Sequence, residues 1–589
     1  MPERLRTGAR RLSGSGSAPS IGFLVDWLED SRYHWQILRG AMKEAYDQGA
    51  SFIAFVGGSL APADQPSESN WIYQLARPGN VDALVLLSGT LGNAVGSNAL
   101  ATFCAQYPPI PICSIAIPLP AASSVCVDNA LGMRAVIEHL IVSHGIQRIA
   151  FVRGPAANDE AEMRLRVYRD TLESSKIAYD PDLVVSGDFT MAAGREAISV
   201  LFAERKLPVS SVGAVVAAND AMATGVVDGL SRRGIRIPEQ IAVAGFDDIE
   251  EARFCNPPLT TVTQRLDGQG RESIRIVMDQ LRSGTVKFEH VVRSPELVTR
   301  RSCGCLSSAS TSRKSSAPPA VTLGFDAALI RRRQHILTDM ARAARGGFGA
   351  AGAQWDVRLL SAIADQIRGD RPDAFIRAYD DVLGRIVEAG ADLAAFNDVL
   401  SALRAGVVRC VGDPKQRMRT EDLFHEARIM TTLAVERLHV ARRLRAWNEA
   451  RSLVQAGSSI VSAEDLDALS QAVHESLPRA GILRTFVARL DEGAGNPTAR
   501  VVLADSPDAR RFDPILAAPQ PPTEILRSTL LRGTDEHAFA VFPAAFADQE
   551  KAIVALQLGA TEGFGYEVLR QIIAGVLSRM NPPGSGAIV

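Results

Sequence analysis

Ala214-Val215-Val216-Ala217-Ala218-Asn219-Asp220-Ala221-Met222-Ala223-Thr224-Gly225 and, further on, Ile241-Ala242-Val243-Ala244-Gly245-Phe246-Asp247-Asp248 decide the fold. Each opens as an apolar run of strand length and ends abruptly in polar side chains. A helical pattern from Ala221 to Arg233 joins them. Strand, helix, strand in that order is the βαβ unit of a parallel sheet covered on both faces.

The alternation extends upstream. Strands are expected at Ile21–Val25, Phe52–Val56, Ala83–Leu87 and Ile112–Ile117, with helices at Trp35–Gln48 and Gly132–His144. The pattern restarts at Ile149-Ala150-Phe151-Val152 and runs on through helices at 161–175 and 192–204, with a short strand at Val184-Val185. Ligands of such sheets bind beyond the carboxyl ends of the strands. The polar residues at those ends are Asp26, Asn219-Asp220 and Asp247-Asp248. Their paired acceptors and donors suit a polyhydroxylated ligand, and the same residue types also cap helices; both roles stay open.

The two quoted stretches resemble the effector domain of the lactose-repressor (LacI/GalR) family of bacterial regulators. So do, in order, Val127-Asp128-Asn129 with Gly132, His139-Leu140, Arg148-Ile149-Ala150-Phe151, Met163 to Arg169, and Pro257-Pro258-Leu259-Thr260-Thr261-Val262. Arg166 and Val167 depart from the small residues usual in that helix start. The resemblance covers residues 20–305 and implies a periplasmic-binding-protein-like α/β fold of two lobes. The second lobe would span about 149–260, with the chain returning to the first near Thr261. It also implies that Arg164, Asn219 and Asp247 hold a sugar or nucleobase effector, with Asp128 in a weaker role. Arg164 can fork two hydroxyls or a carboxylate, and Asp247 can accept a bidentate pair. Tyr33 and Trp35 could wall a sugar ring, although a core role for Trp35 is equally open.

Repressors of that family carry a helix-turn-helix ahead of the first strand. Here a basic, Ser/Gly-rich tail (1–19) precedes Ile21, without the apolar run of a signal peptide. The expectation is a cytoplasmic protein without a recognition helix for direct DNA contact. The longest weakly polar stretch, Ile110–Val127, is interrupted by Pro111, Pro118 and Pro120 and makes a poor membrane span.

With 589 residues, 46% hydrophobic and 22% charged, the chain is several globular domains, not collagen or a disordered polymer. A net charge of -2 leaves no overall basic field for nucleic acid. Seven scattered cysteines exclude a disulfide scaffold, and Cys303-Gly304-Cys305, without a histidine pair nearby in sequence, reads as no metal site. No cofactor is expected. Residues 306–324 read as a Ser/Pro-rich linker, 325–445 as a helical bundle ending in a signalling helix, 446–581 as an α+β domain resembling a diverged GAF domain, and 582–589 as a tail. In the signalling helix, Leu423, Ala427, Met430, Leu433, Ala434, Leu438, Ala441 and Leu444 fit either a dimer seam or packing within the bundle.

No nucleophile elbow, phosphate-binding loop or zinc-protease motif occurs. The expected function is therefore a non-enzymatic, homodimeric cytoplasmic sensor of a small polar metabolite, sugar or nucleoside-like. It would signal to a separate kinase, cyclase or DNA-binding regulator. Two readings stand beside it: a DNA-binding regulator using a cryptic motif, and an exported sugar-binding protein.

Overall fold

The computed structural model describes residues 18–28, 32–62, 67–107, 109–305, 324–344, 348, 352–389, 393–491, 497–505, 518–530, 537–546, 550–559 and 563–580. The expected terminal tails and the 306–324 linker lie almost wholly outside these residues. The chain divides into two compact units, Met1–Ser308 with Glu449–Val589, and Ala309–Asn448.

In the first unit, β1 (Ser20–Val25), β2 (Ser51–Val56), β3 (Ala83–Leu86), β4 (Ile112–Ile115) and β5 (Ser123–Val127) form a parallel sheet in the order β5-β4-β3-β1-β2. A later strand, β11 (His290–Arg293), joins beside β5. Helix α1 (Arg32–Asp47) follows β1; α2 (Ser88–Leu91) and α3 (Gly96–Cys104) follow β3.

The second lobe is a separate parallel sheet, β7-β6-β8-β9, from Val184–Ser186, Ile149–Arg153, Ala214–Ala217 and Ala242–Ala244. Helices α4 (Asn129–Glu138), α5 (Asp159–Ser174), α6 (Met191–Ser199), α7 (Asp220–Arg232) and α8 (Glu250–Phe254) accompany it. The chain crosses back at β10 (Thr261–Thr263), which pairs antiparallel with β12 (Glu296–Val298); α9 (Leu266–Ser283) lies between them in sequence. The signature residue Gly225 has a packing reason. A Cβ on Gly225 would sit 2.0 Å from the Met191 carbonyl oxygen, and one on Gly194 1.9 Å from that of Met222. Helices α6 and α7 therefore touch backbone to backbone, where only glycine fits.

The expected independent domain at 446–581 is not set apart. Its strands β13 (Thr485–Asp491), β14 (Thr498–Asp505), β15 (Ala538–Ala545) and β16 (Lys551–Gln557) extend the first lobe's sheet to ten strands. The joint is β15, parallel to β2, with Phe539 opposite Ile53 and Val541 opposite Phe55. All six β2 residues are buried, so the strand that would be an open edge is covered, which removes an aggregation-prone surface. Asn80 and Asp82 add a polar seam: Asn80 Nδ2 donates to the Pro522 carbonyl at 2.9 Å, and Arg527 donates to both Asp82 oxygens.

The second unit contains helices Phe325–Ala344, Trp355–Arg368, Ala374–Glu388 and Leu393–Val407, and most of the long helix Pro414–Val461. Met340, Leu360, Phe375, Tyr379, Phe396 and Phe424 centre its core. Of the expected seam residues, Leu423, Ala427, Met430, Ala434 and Leu438 pack into this core, whereas Leu433 and Leu444 stay exposed. No helix among the described residues is long and apolar enough to cross a membrane.

Candidate ligand-binding cleft

Asn158 caps α5, accepting from the Ala161 amide, and α5 opens with Asp159, Glu160 and Glu162, a favourable charge for a helix N-terminus. Arg164 stands one turn further, 3% exposed. Its Nε donates to Asn129 Oδ1 at 2.8 Å, its Nη1 to the Ala218 carbonyl at 2.7 Å, and its guanidinium lies 4.0 Å from the Phe246 ring centroid. Glu160 at 3.7 Å and Asp247 at 3.8 Å supply two carboxylates around this one cation. Asn129 completes the group by donating to Glu160 Oε1 at 2.8 Å.

Asp247 and Asp248 follow β9 with φ of 123° and 58°, a left-handed backbone that costs of the order of 1–3 kcal/mol per non-glycine residue. Specific bonds hold it. The Asp247 amide donates to the Val262 carbonyl, Gln264 donates to Asp247 Oδ1, and Arg300 and Arg253 grip the Asp248 carboxylate. Asp248 is thus occupied by structure, while the turn aims Asp247 at Arg164. Burial pushes the Asp247 carboxyl well above the usual range; Arg164 opposes this, and Asp220 and Glu160 add to it.

On the first lobe, Asp26 closes β1. Its carboxylate lies 2.9 Å from His34 Nε2 and accepts from Thr90 Oγ1 at 2.7 Å and Ser59 Oγ at 3.3 Å. Burial alone would raise this carboxyl, but His34 and Thr90 outweigh it and the net shift is downward. Tyr33, one residue before His34, links the two groups. Burial, then the charges of Glu160, Asp247 and Asp26, push its phenol well above the ordinary value, with Arg164 opposing. A methyl placed on Gly89 would lie 3.2 Å from Glu160 Oε2 and 3.9 Å from the Tyr33 hydroxyl, so both lobes' polar groups converge over this glycine. Beside it, Asn158 Nδ2 donates to the Gly89 carbonyl at 2.8 Å, bridging second lobe to first.

Arg164, Asp247, Tyr33 and Asp26 are therefore brought within one electrostatic neighbourhood. Asp128 and Asn219 use a side-chain oxygen to cap helices, accepting from the Leu131 and Met222 amides; Asn219 also donates to the Phe189 carbonyl. Trp35 packs against Tyr566, ring centroids 6.3 Å apart, in the role of a core residue. His34, Asn129, Glu160 and Gln264 were not anticipated. Adjacency to Tyr33 and Asp128 was the signal for the first two.

Residues 137–303 match the family model of a periplasmic binding protein-like domain. That stretch is thus similar to a periplasmic binding protein-like domain, in line with the resemblance of its motifs to the LacI/GalR type. The chain is 26% identical over 284 residues to the HTH-type transcriptional repressor PurR of Histophilus somni (strain 129Pt), covering 48% of this chain and 81% of that protein. It is 28% identical over 271 residues to the HTH-type transcriptional repressor CytR of Escherichia coli (strain K12), covering 46% and 75%. The ribose operon repressor of the same strain is 27% identical over 284 residues, covering 48% and 82%. Among solved structures, the transcriptional regulator CelR–cellobiose complex aligns with a TM-score of 0.42 at 26% identity, covering 49% of this chain and 87% of that one. These three relatives are transcription repressors.

Proposed function

We propose that residues 20–305 sense a small polar metabolite, a sugar or nucleoside-like compound, held between the two lobes. The observation that carries this is the meeting of Tyr33 from one lobe with Glu160 from the other over Gly89, with the charges of Asp26, Arg164 and Asp247 all acting on the Tyr33 phenol. A buried arginine between two carboxylates, with a phenol and a third carboxylate in the same neighbourhood, offers donors and acceptors in pairs to vicinal hydroxyls. Asp128 would add a contact from its second carboxylate oxygen, and Asn219 from the second hydrogen of the amide that bonds Phe189. Similarity to repressors, one of them named for a ribose operon, supports this ligand class and a role in transcription regulation.

Closure of the lobes would be felt in residues 446–581, the GAF-like part, because they share the first lobe's sheet. From there the signal would pass to a separate output protein. A second copy of this chain is also expected. In the helical unit Leu433, Val440 and Trp447 recur every seven residues, with Leu444 between them, at 45%, 53%, 71% and 59% exposure. A heptad of exposed apolar residues is the pattern of a two-helix seam. The direct test is a rise in melting temperature of the full chain on adding pentoses, hexoses or nucleosides.

A further inference from the structure

The four side chains His139, His144, Cys303 and Cys305 place one ligand atom each within 4.8 Å of one another. We infer that they form a structural zinc site. The inference is independent of the ligand cleft.

Four of the six ligand-to-ligand distances match the edges of a tetrahedral ion. Zinc bonds of about 2.3 Å to sulfur and about 2.05 Å to nitrogen set tetrahedral edges near ~3.3 Å between nitrogens and ~3.5 Å between nitrogen and sulfur. The two Nε2 atoms lie 3.2 Å apart. Cys303 Sγ and Cys305 Sγ each lie 3.5 Å from His139 Nε2, and Cys305 Sγ lies 3.4 Å from His144 Nε2. All six distances lie within 4.8 Å, so a small inward shift of the ligands would seat the ion, and four protein donors leave no open position, as in structural rather than catalytic zinc.

Two local departures from regular structure build the cluster. After α4 the helix widens into a π turn over His139–Ser143. On an α-helix, residues five apart point about 140° away from each other; the wider π turn, which bonds residue i to i+5, brings His139 and His144 together with ring centroids 4.9 Å apart. On the other strand of the chain, Gly304 has a φ of 99°, a left-handed position that lets Cys303 and Cys305 face the same point. Ser302 anchors this turn, accepting from the Thr260 amide at 2.7 Å and donating to the Val243 carbonyl at 2.6 Å. Thr260 Oγ1 stands 3.0 Å from Cys303 Sγ, a second-layer contact of the sort that orients a metal-bound thiolate.

Binding is charge-balanced. Zinc replaces the two thiol protons, which leave to solvent, and two thiolates, two neutral imidazoles and Zn2+ sum to zero charge, which suits a half-buried site. The ion would rivet the last residues of the sensor domain to the helix that packs on α5, at the point where the chain leaves the domain.

The test uses the full chain, purified without chelator from zinc-supplemented medium. Elemental analysis should find one zinc per chain, and replacement by Co2+ should give the visible bands of tetrahedral thiolate-ligated cobalt. Cys305→Ser and His144→Asn should each lose the metal and melt at lower temperature, with Cys126→Ser as the cysteine control that retains it. Chelation should lower the melting temperature of the parent protein and leave that of the two variants unchanged. Should a variant fail to fold, the cobalt spectrum of the parent decides. A chain that neither contains zinc nor takes up Co2+ overturns the inference. So does metal retained by the Cys305→Ser, His144→Asn double variant, or an iron–sulfur spectrum in its place.

Discussion

The backbone amide of Leu28 donates to the Glu567 carboxylate at 3.3 Å, across 539 residues of sequence. Leu28 lies just after Asp26, in the connection that leads to Tyr33, and Glu567 is fully buried on the final helix, Gly563–Leu577. Arg570 holds the other carboxylate oxygen at 2.8 Å. One lip of the candidate cleft is therefore tied directly to the C-terminal helix, in addition to the β2–β15 strand pair.

Replacing Glu567 with alanine should cut that tie. It leaves the Leu28 amide without its buried acceptor, a loss of about 1–3 kcal/mol. Denaturant unfolding of Glu567→Ala against Glu567→Gln, which keeps an acceptor, measures it. Equal stability of the two variants would mean that the bond contributes nothing.

If closure is passed through the shared sheet, a ligand that raises the melting temperature should also slow amide exchange in Ala538–Ala545 and Gly563–Leu577. Protection confined to residues 20–305 would separate sensing from relay.

Gly225→Ala places a methyl against the Met191 carbonyl. Helices α6 and α7 must then separate, at a cost of about 1–3 kcal/mol, without change to any cleft side chain. A thermal melt checks this, and an unaltered midpoint would contradict the backbone contact.

Burial pushes the Asp220 carboxyl up to about 7, against hydrogen bonds from Thr261 and the Ile249 amide that hold it down, and Asp247 shifts in the same direction. A carboxyl raised above its unfolded value of about 3.9 binds more protons when folded, so stability falls as pH rises from there towards the folded value. Unfolding free energy measured between pH 4 and 7 should decline through these two groups, and Asp220→Asn should flatten that slope. An unchanged slope in the variant would show that Asp220 ionises as it does in the unfolded chain.

Part of the candidate cleft is legible from local signals. Asp26 and Asp247 end strands, Arg164 and Tyr33 lie beside helix starts, and strand ends are where such folds bind ligands. What was hidden depends on partners distant in sequence. Asp128 and Asn129 are indistinguishable as text, yet the first turns to cap a helix and the second reaches Arg164. The all-apolar run of β2 reads as a buried strand but does not say that β15, almost five hundred residues later, buries its edge. Likewise His139 and His144 have a zinc-compatible spacing, but the cysteines they meet come only after the chain has traversed the second lobe and returned. Periodicity reports the environment of a residue; it does not name the neighbour that provides it.

The central claim is that a small polar ligand binds between the lobes at Arg164 and Asp247. Because residues 449–589 pack in the same unit, the full chain is the sample. Its thermal denaturation is followed with pentoses, hexoses and nucleosides, then repeated with Asp247→Ala and Arg164→Ala. At a hundredfold excess over the dissociation constant a bound ligand adds about 2.7 kcal/mol. The account predicts a saturable rise in melting temperature with at least one of these compounds, lost in both variants while each still unfolds cooperatively. A rise that persists undiminished in both variants, or no rise with any compound, would contradict it.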